Sequence, residues 1–216
     1  MEAAAYIVTA LAAYLLGSIP TGYLVARSRG VDIRKVGSGN IGATNVLRTL
    51  GKPAGILVLL VDALKGFIAA RYVGWFAYKI LAGGLEESST TDEALKIIGG
   101  IVSILGHNYT CWLKFKGGKG IATSAGVTLA LLPIAMGIAV LAFVIVCAIT
   151  RYVSVASIAA AAVLPFAAWW PARSSRMMIG VAVVIAAMAI YKHRTNIQRL
   201  MNGTENRFGK KPEAHS

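Results

Sequence analysis

Long apolar runs recur along nearly the whole chain, and no other feature constrains the fold as much. Hydrophobic sequence with few interruptions covers residues 3–16, 54–60, 126–149, 153–170 and 177–190. A helix needs about 20 apolar residues to cross a hydrocarbon core ~30 Å thick. Inside that core every backbone N–H and C=O must find its partner within the protein, which leaves helices or a closed barrel. The runs are long and unalternating, so helices are expected. Charged residues make up only 14% of the sequence, against about 25% in soluble domains. The polar stretches are too short to separate two domains, so residues 1–216 read as one all-α, polytopic membrane domain with no internal repeat.

The first span is expected over residues 4–25, weakened near its second end by Gly17-Ser18-Ile19-Pro20-Thr21-Gly22. Later spans are expected at 53–78, 94–115, 153–170 and 177–190. Residues 121–150 are too long for one comfortable crossing and contain Pro133.

Charge settles how often that stretch crosses. Arg27, Arg29, Arg34, Lys35, Arg48 and Lys52 cluster in one polar segment, and Lys114, Lys116 and Lys119 in another. Lys192, Arg194, Arg199, Arg207, Lys210 and Lys211 cluster in the tail, whereas Glu86, Glu87, Asp92 and Glu93 lie in a loop without Lys or Arg. Cytoplasmic loops are enriched in Lys and Arg, so the basic segments are expected inside and the acidic loop outside. Residues 121–150 must then cross twice, turning near Pro133. The result is seven transmembrane helices, with the N-terminus outside and the C-terminus cytoplasmic; Arg173 and Arg176 fall outside against the bias. Met1-Glu2-Ala3-Ala4-Ala5 lacks the basic start of a cleavable signal, so the first run is expected to persist as a helix.

The net charge of +13 would suggest nucleic acid in a soluble protein; here loop placement accounts for most of it, and no nucleic-acid partner is expected. Cys111 and Cys147 sit in largely apolar sequence and make no disulfide framework. Trp75, Trp112, Trp169 and Trp170 read as interfacial anchors. Asp62 and Lys65 lie one helical turn apart inside a span and read as a buried pair that neutralises itself.

Three polar clusters exceed what the charge bias requires. The first is Gly37-Ser38-Gly39-Asn40-Ile41-Gly42-Ala43-Thr44-Asn45, with Arg48 beyond. Glycine-rich turns can aim successive N–H groups at an anion, Ser38, Asn40, Thr44 and Asn45 add hydrogen-bonding groups, and a guanidinium offers a fork for phosphate oxygens. A capped flexible turn is the plainer alternative. The second cluster is Gly106-His107-Asn108 followed by Lys116-Gly117-Gly118-Lys119-Gly120-Ile121-Ala122-Thr123. A glycine loop entering a helix suits an anion, though an ordinary basic turn would share its composition. It is no ATP-binding Walker loop, since Leu113 stands where that pattern needs Gly and Gly120 where it needs Ser or Thr. The third runs from His193 through Asn196 to Leu200, residues that share one helical face, with Arg194 and Arg199 able to reach headgroups and Glu205 following. Alone it would read as a basic helix at the membrane surface.

These clusters, together with residues 17–22, occur in order over nearly the whole chain and resemble the bacterial acyl-phosphate:glycerol-3-phosphate acyltransferases of the PlsY type. The acidic loop at 83–93 is somewhat longer than the family pattern. The resemblance implies transfer of a fatty acyl group from a long-chain acyl phosphate to the 1-hydroxyl of glycerol 3-phosphate. The products are lysophosphatidate and phosphate, in the first acylation of phospholipid synthesis. It implies catalytic roles for Ser38, Arg48, Lys119, His193 and Asn196, and substrate contacts from Asn40, Thr44, Asn45, His107, Asn108, Gly117, Gly118, Gly120 and Glu205. It also implies a bacterial inner-membrane location, an active site at the cytoplasmic face among membrane lipids, and a functional link to the enzyme that makes acyl phosphate. No cofactor is expected, nor a metal, because carboxylates near the motifs are scarce.

The chemistry agrees. Both substrates are anions, and a cation ~4 Å from a phosphate charge is worth about 4 kcal/mol at an effective dielectric near 20, so Arg48 and Lys119 matter. The His-x4-Asp signature of other acyltransferases is absent, because Trp112 and Gln198 occupy the Asp positions after His107 and His193. Two routes therefore remain for the hydroxyl proton: to His193, or to the donor's own phosphate. The second is favoured, with direct transfer and no acyl-enzyme. A transporter of phosphorylated solutes would share the basic residues, but such sites lie near the midplane between repeats. A non-catalytic lipid-binding subunit would show no turnover.

Overall fold

The structure, a computed structural model, describes residues 2–82, 88–170 and 175–207. Glu86, Glu87, Arg173, Lys210 and Lys211, which entered the topology argument, lie outside the described residues. Among the described residues the secondary structure is helical throughout, with no strand. The chain divides into two compact units, Met1–Pro133 and Ile134–Ser216.

In the first unit α1 (Glu2–Ser18) and α2 (Thr21–Arg27) are one apolar helix interrupted at Pro20. Proline carries no N–H and so breaks the helical ladder. The freed carbonyls are taken by other elements: Ser18 O accepts from Thr110 Oγ1 at 2.6 Å, and Ile19 O from Lys65 Nζ at 2.7 Å. A turn at Ile33–Lys35 leads to α3 (Ala43–Leu50). Next come α4 (Lys52–Ile68), a π-helical turn (Ala69–Val73) and α5 (Gly74–Leu81), continuous over Lys52–Leu81. The following helix, α6 (Ser89–Asn108), starts five residues before the expected span, because the Ser88 hydroxyl caps it by accepting from Thr91 N at 3.1 Å. It also ends earlier, and residues 109–115 form a tight turn instead of a last helical stretch. The unit closes with α7 (Ile121–Leu131).

Close crossings hold this unit together. On α1 and α6, a Cβ on Gly17 would stand 2.1 Å from Ser103 O, and one on Gly106 would stand 2.3 Å from Tyr14 O. Only glycine admits such backbone approach, a common device between membrane helices. Helix α7 crosses α4 in the same way, with Gly126 against Ala63 O and Gly66 against Thr123 O.

The second unit contains α8 (Pro133–Thr150) from Ile134 onward, α9 (Val153–Trp169), α10 (Arg176–Lys192) and α11 (Arg194–Met201). Pro133 splits the 121–150 stretch as expected, ending α7 two residues earlier and opening α8 as its first residue, the helix position where proline is favoured. In this unit α9 packs on α10, and α11 leaves α10 at an angle of 50°. By length and composition, Glu2–Arg27, Lys52–Leu81 and Pro133–Thr150 suffice to cross a membrane, while α7 and α9 are shorter apolar helices.

Candidate active site

In the first unit the polar turn ahead of α3 is built around Asn45. Its Nδ2 faces three carbonyls, Ile33 O at 3.2 Å, Val36 O at 3.0 Å and Asn40 O at 2.9 Å, and its Oδ1 accepts from Ser38 N at 2.9 Å. Asn45 is fully buried, so its amide is consumed in folding the turn. Asn40 closes a smaller turn by accepting from Gly42 N at 2.8 Å. Gly37, at φ +61°, lies where a Cβ would meet Asn45 Oδ1 at 2.2 Å. Ser38, Thr44 and Arg48 are partly exposed along this turn and α3. Ile33, Ile41 and Val46 beneath it share a core cluster with Leu113, which ties the turn to the chain that follows α6.

The glycine loop differs from its expected form in one respect. Gly117 N donates to Asn108 O at 3.2 Å and Gly118 N to His107 O at 3.0 Å, so these two N–H groups are spent on the end of α6 and are not turned to a ligand. Their glycine identity has a packing cause: a Cβ at Gly117 would stand 2.0 Å from His107 O, and one at Gly118 2.2 Å from His107 Nε2. The N–H groups that open a helix come later in the loop. Gly120, left-handed at φ +79°, is the N-cap of α7 and brings no side chain to cap it. The N–H groups of Ile121, Ala122 and Thr123 therefore open the helix where its positive end lies. Lys119, partly exposed, stands beside them.

His107 and Asn108 are buried behind this loop. His107 Nδ1 lies 3.7 Å from Asp62 Oδ1, which also accepts from Thr21 Oγ1 at 2.9 Å and pairs with Lys65 Nζ at 2.8 Å. The Asp62–Lys65 pair was expected from its spacing; its junction with Thr21 and His107 was not. The signal present in the sequence was a third ionisable group and a hydroxyl, each at the end of another helix.

In the second unit His193 ends α10 and Asn196 lies in the first turn of α11, both buried. His193 Nδ1 is 2.7 Å from Ala189 O. Glu205 folds back on α11: Oε1 accepts from Asn196 Nδ2 at 2.7 Å and Ser154 Oγ at 2.8 Å, while Oε2 accepts from Arg199 Nε at 2.8 Å. Burial pushes the Glu205 carboxyl up, but the bonds from Arg199, Asn196 and Ser154 outweigh it and hold the group below the usual range. Arg199, read from the sequence as reaching headgroups, thus pairs with Glu205 because that buried carboxylate needs a counter-charge. Arg194 is exposed and lies over the Tyr191 ring at 4.6 Å. Among the described residues no cluster of His, Cys, Asp and Glu has the makings of a metal site.

Apolar helices of membrane length, with polar clusters gathered at their breaks and ends, define a polytopic membrane protein. The chain belongs to the glycerol-3-phosphate acyltransferase family, whose sequence profile matches residues 7–203. It is 48% identical over 206 residues to the glycerol-3-phosphate acyltransferase of Geobacter sulfurreducens, covering 94% of this chain and 96% of that one. With that of Clostridioides difficile it shares 43% identity over 214 residues, or 99% and 100% of the two chains. Among solved structures it resembles PlsY (YgiH), an integral membrane glycerol 3-phosphate acyltransferase, in its glycerol 3-phosphate form: 40% identity, TM-score 0.80, and 94% and 96% coverage. The lysophosphatidic acid form of PlsY matches with a TM-score of 0.78. As a member of the family, the chain is an integral membrane enzyme that acylates glycerol 3-phosphate.

Proposed function

We propose that the acyl donor is a long-chain acyl phosphate and that one acyltransferase domain, residues 1–216, catalyses direct transfer at the cytoplasmic face of a bacterial inner membrane. The observation that carries this reading is the likeness, at 40% identity, to a protein solved with glycerol 3-phosphate and with lysophosphatidic acid. These are the acceptor and the product of one acylation. The sequence-level resemblance adds the donor, and the absence of a Walker pattern or His-x4-Asp signature is consistent with it.

In this reading Ser38, Arg48, Lys119, His193 and Asn196 carry the reaction. Arg48, Lys119 and the first N–H groups of α7 offset the charge of two phosphates. The glycerol 1-hydroxyl attacks the acyl carbon, the acyl–phosphate C–O bond breaks, and the hydroxyl proton leaves on the released phosphate. Asn40, Thr44 and Gly120 serve the phosphates directly. Asn45, His107, Asn108, Gly117, Gly118 and Glu205 serve them by holding the turns in shape. The purified protein, given glycerol 3-phosphate and each of palmitoyl phosphate, palmitoyl-CoA and palmitoyl-acyl carrier protein, is expected to form lysophosphatidate only with the first. It should release one phosphate per ester; equal turnover with a thioester would refute the donor assignment.

A further inference from the structure

Asp62 has more partners than a self-neutralising pair requires. It is 1% exposed and Lys65 4%, both on a helix of membrane length. A buried ion pair is weak evidence for stability, because desolvation can exceed the attraction. Ionisable residues inside membrane spans tend to be kept for function. Lys65 also holds Ile19 O, the carbonyl released by the Pro20 break, while Asp62 gathers the Thr21 hydroxyl and faces the His107 ring.

The other edge of that ring meets the glycine loop. His107 Nε2 occupies the space a Gly118 side chain would need, and His107 O accepts the Gly118 N–H at 3.0 Å. The loop therefore rests on His107 through both ring and backbone, and the ring's Nδ1 faces the Asp62 carboxylate at 3.7 Å, an electrostatic approach longer than a hydrogen bond. Lys119 follows at once, and then the first turn of α7. Helix α4, which bears Asp62, also fixes α7 directly, since Gly66 touches Thr123 O and Gly126 touches Ala63 O.

We propose that Asp62 is a positioning residue for substrate phosphate, acting through the His107 ring on loop 117–120 and the start of α7. The proposal rests on the reading that Lys119 and this loop hold a substrate phosphate. A misplaced loop weakens that binding while leaving Ser38, His193 and Asn196 undisturbed, so the effect falls chiefly on KM.

The test separates positioning from charge balance. Asp62→Asn alone leaves Lys65 buried without its counter-ion, so the informative variant is the doubly neutral Asp62→Asn/Lys65→Met. In purified full-length protein, with folding checked by thermal unfolding, KM for glycerol 3-phosphate or for acyl phosphate is expected to rise about tenfold while kcat stays within about threefold. His107→Gln, which keeps the backbone bond to Gly118 but removes the ring, should show the same split. A folded double variant with wild-type KM for both substrates would overturn the proposal and leave the pair as charge balance. If the double variant does not fold, His107→Gln decides in the same way. Lys119→Ala is measured alongside. If it raises KM while the Asp62 and His107 variants do not, only the positioning role fails. If Lys119→Ala itself leaves both KM values unchanged, the phosphate-loop reading fails and takes the proposal with it.

Discussion

The His193 ring is oriented by its own helix. A carbonyl oxygen only accepts, so the 2.7 Å approach to Ala189 O places the proton of the neutral ring on Nδ1 and the lone pair on Nε2. That tautomer suits a proton acceptor at Nε2; donation from Nε2 would need the imidazolium. Substitution can therefore tell the two proton routes apart. An ordinary imidazole titrates near ~6.5, and if His193 is the base, His193→Gln removes the acidic limb of kcat/KM against pH. If the donor phosphate takes the proton, the limb survives in His193→Gln and tracks ionisation of the donor. Survival is the expected outcome, measured in a variant shown first to bind glycerol 3-phosphate. Loss of the limb in such a variant would assign the base to His193.

At the scale of the element, glycines set how closely helices cross, and glycines on different helices differ sharply in what they tolerate. Gly106→Ala would push Cβ to 2.3 Å from Tyr14 O and 3.0 Å from Ser18 N, forcing α1 from α6. It would also strain the bonds at the Pro20 break, Ser18 Oγ to Gly106 O and Thr110 Oγ1 to Ser18 O. Overpacking of this kind costs about 1–3 kcal/mol, so a lowered unfolding temperature and reduced activity are expected. Gly180→Ala on α10 meets nothing within 4 Å and should be neutral or stabilising by up to ~1 kcal/mol.

The same scale shows what the sequence could disclose. The breaks at Pro20 and Pro133 were legible because proline acts locally, through its missing N–H. So was the Asp62–Lys65 pair, set by one turn of helix. The function of Gly117 and Gly118 was not, because a glycine loop looks the same whether its N–H groups meet a ligand or the carbonyls of α6. Asn45 was legible as part of a polar turn but not as its staple, which depends on where the Ile33 and Val36 carbonyls fall.

For the whole molecule the governing constraint is parity. An N-terminus and a C-terminus on opposite faces require an odd number of crossings, and the count turns on α7. Its 11 residues rise about 1.5 Å each, roughly half of a ~30 Å core. Such a helix is tolerable where protein shields its ends, and α7 lies against α4 and α6. Lys and Arg are dense in residues 27–52 and 192–211 and absent from 83–93, which favours opposite faces for the acidic loop and the tail. Cysteine scanning in intact cells tests this once Cys111 and Cys147, both partly exposed, are replaced. A membrane-impermeant thiol reagent is expected to label Ser89→Cys, at the start of α6, from outside. Asn202→Cys, just past α11, should react only after the membrane is permeabilised. Labelling of Asn202→Cys in intact cells would put the tail outside, make the crossing number even for an external N-terminus, and require α7 and α8 to be recounted as a single passage.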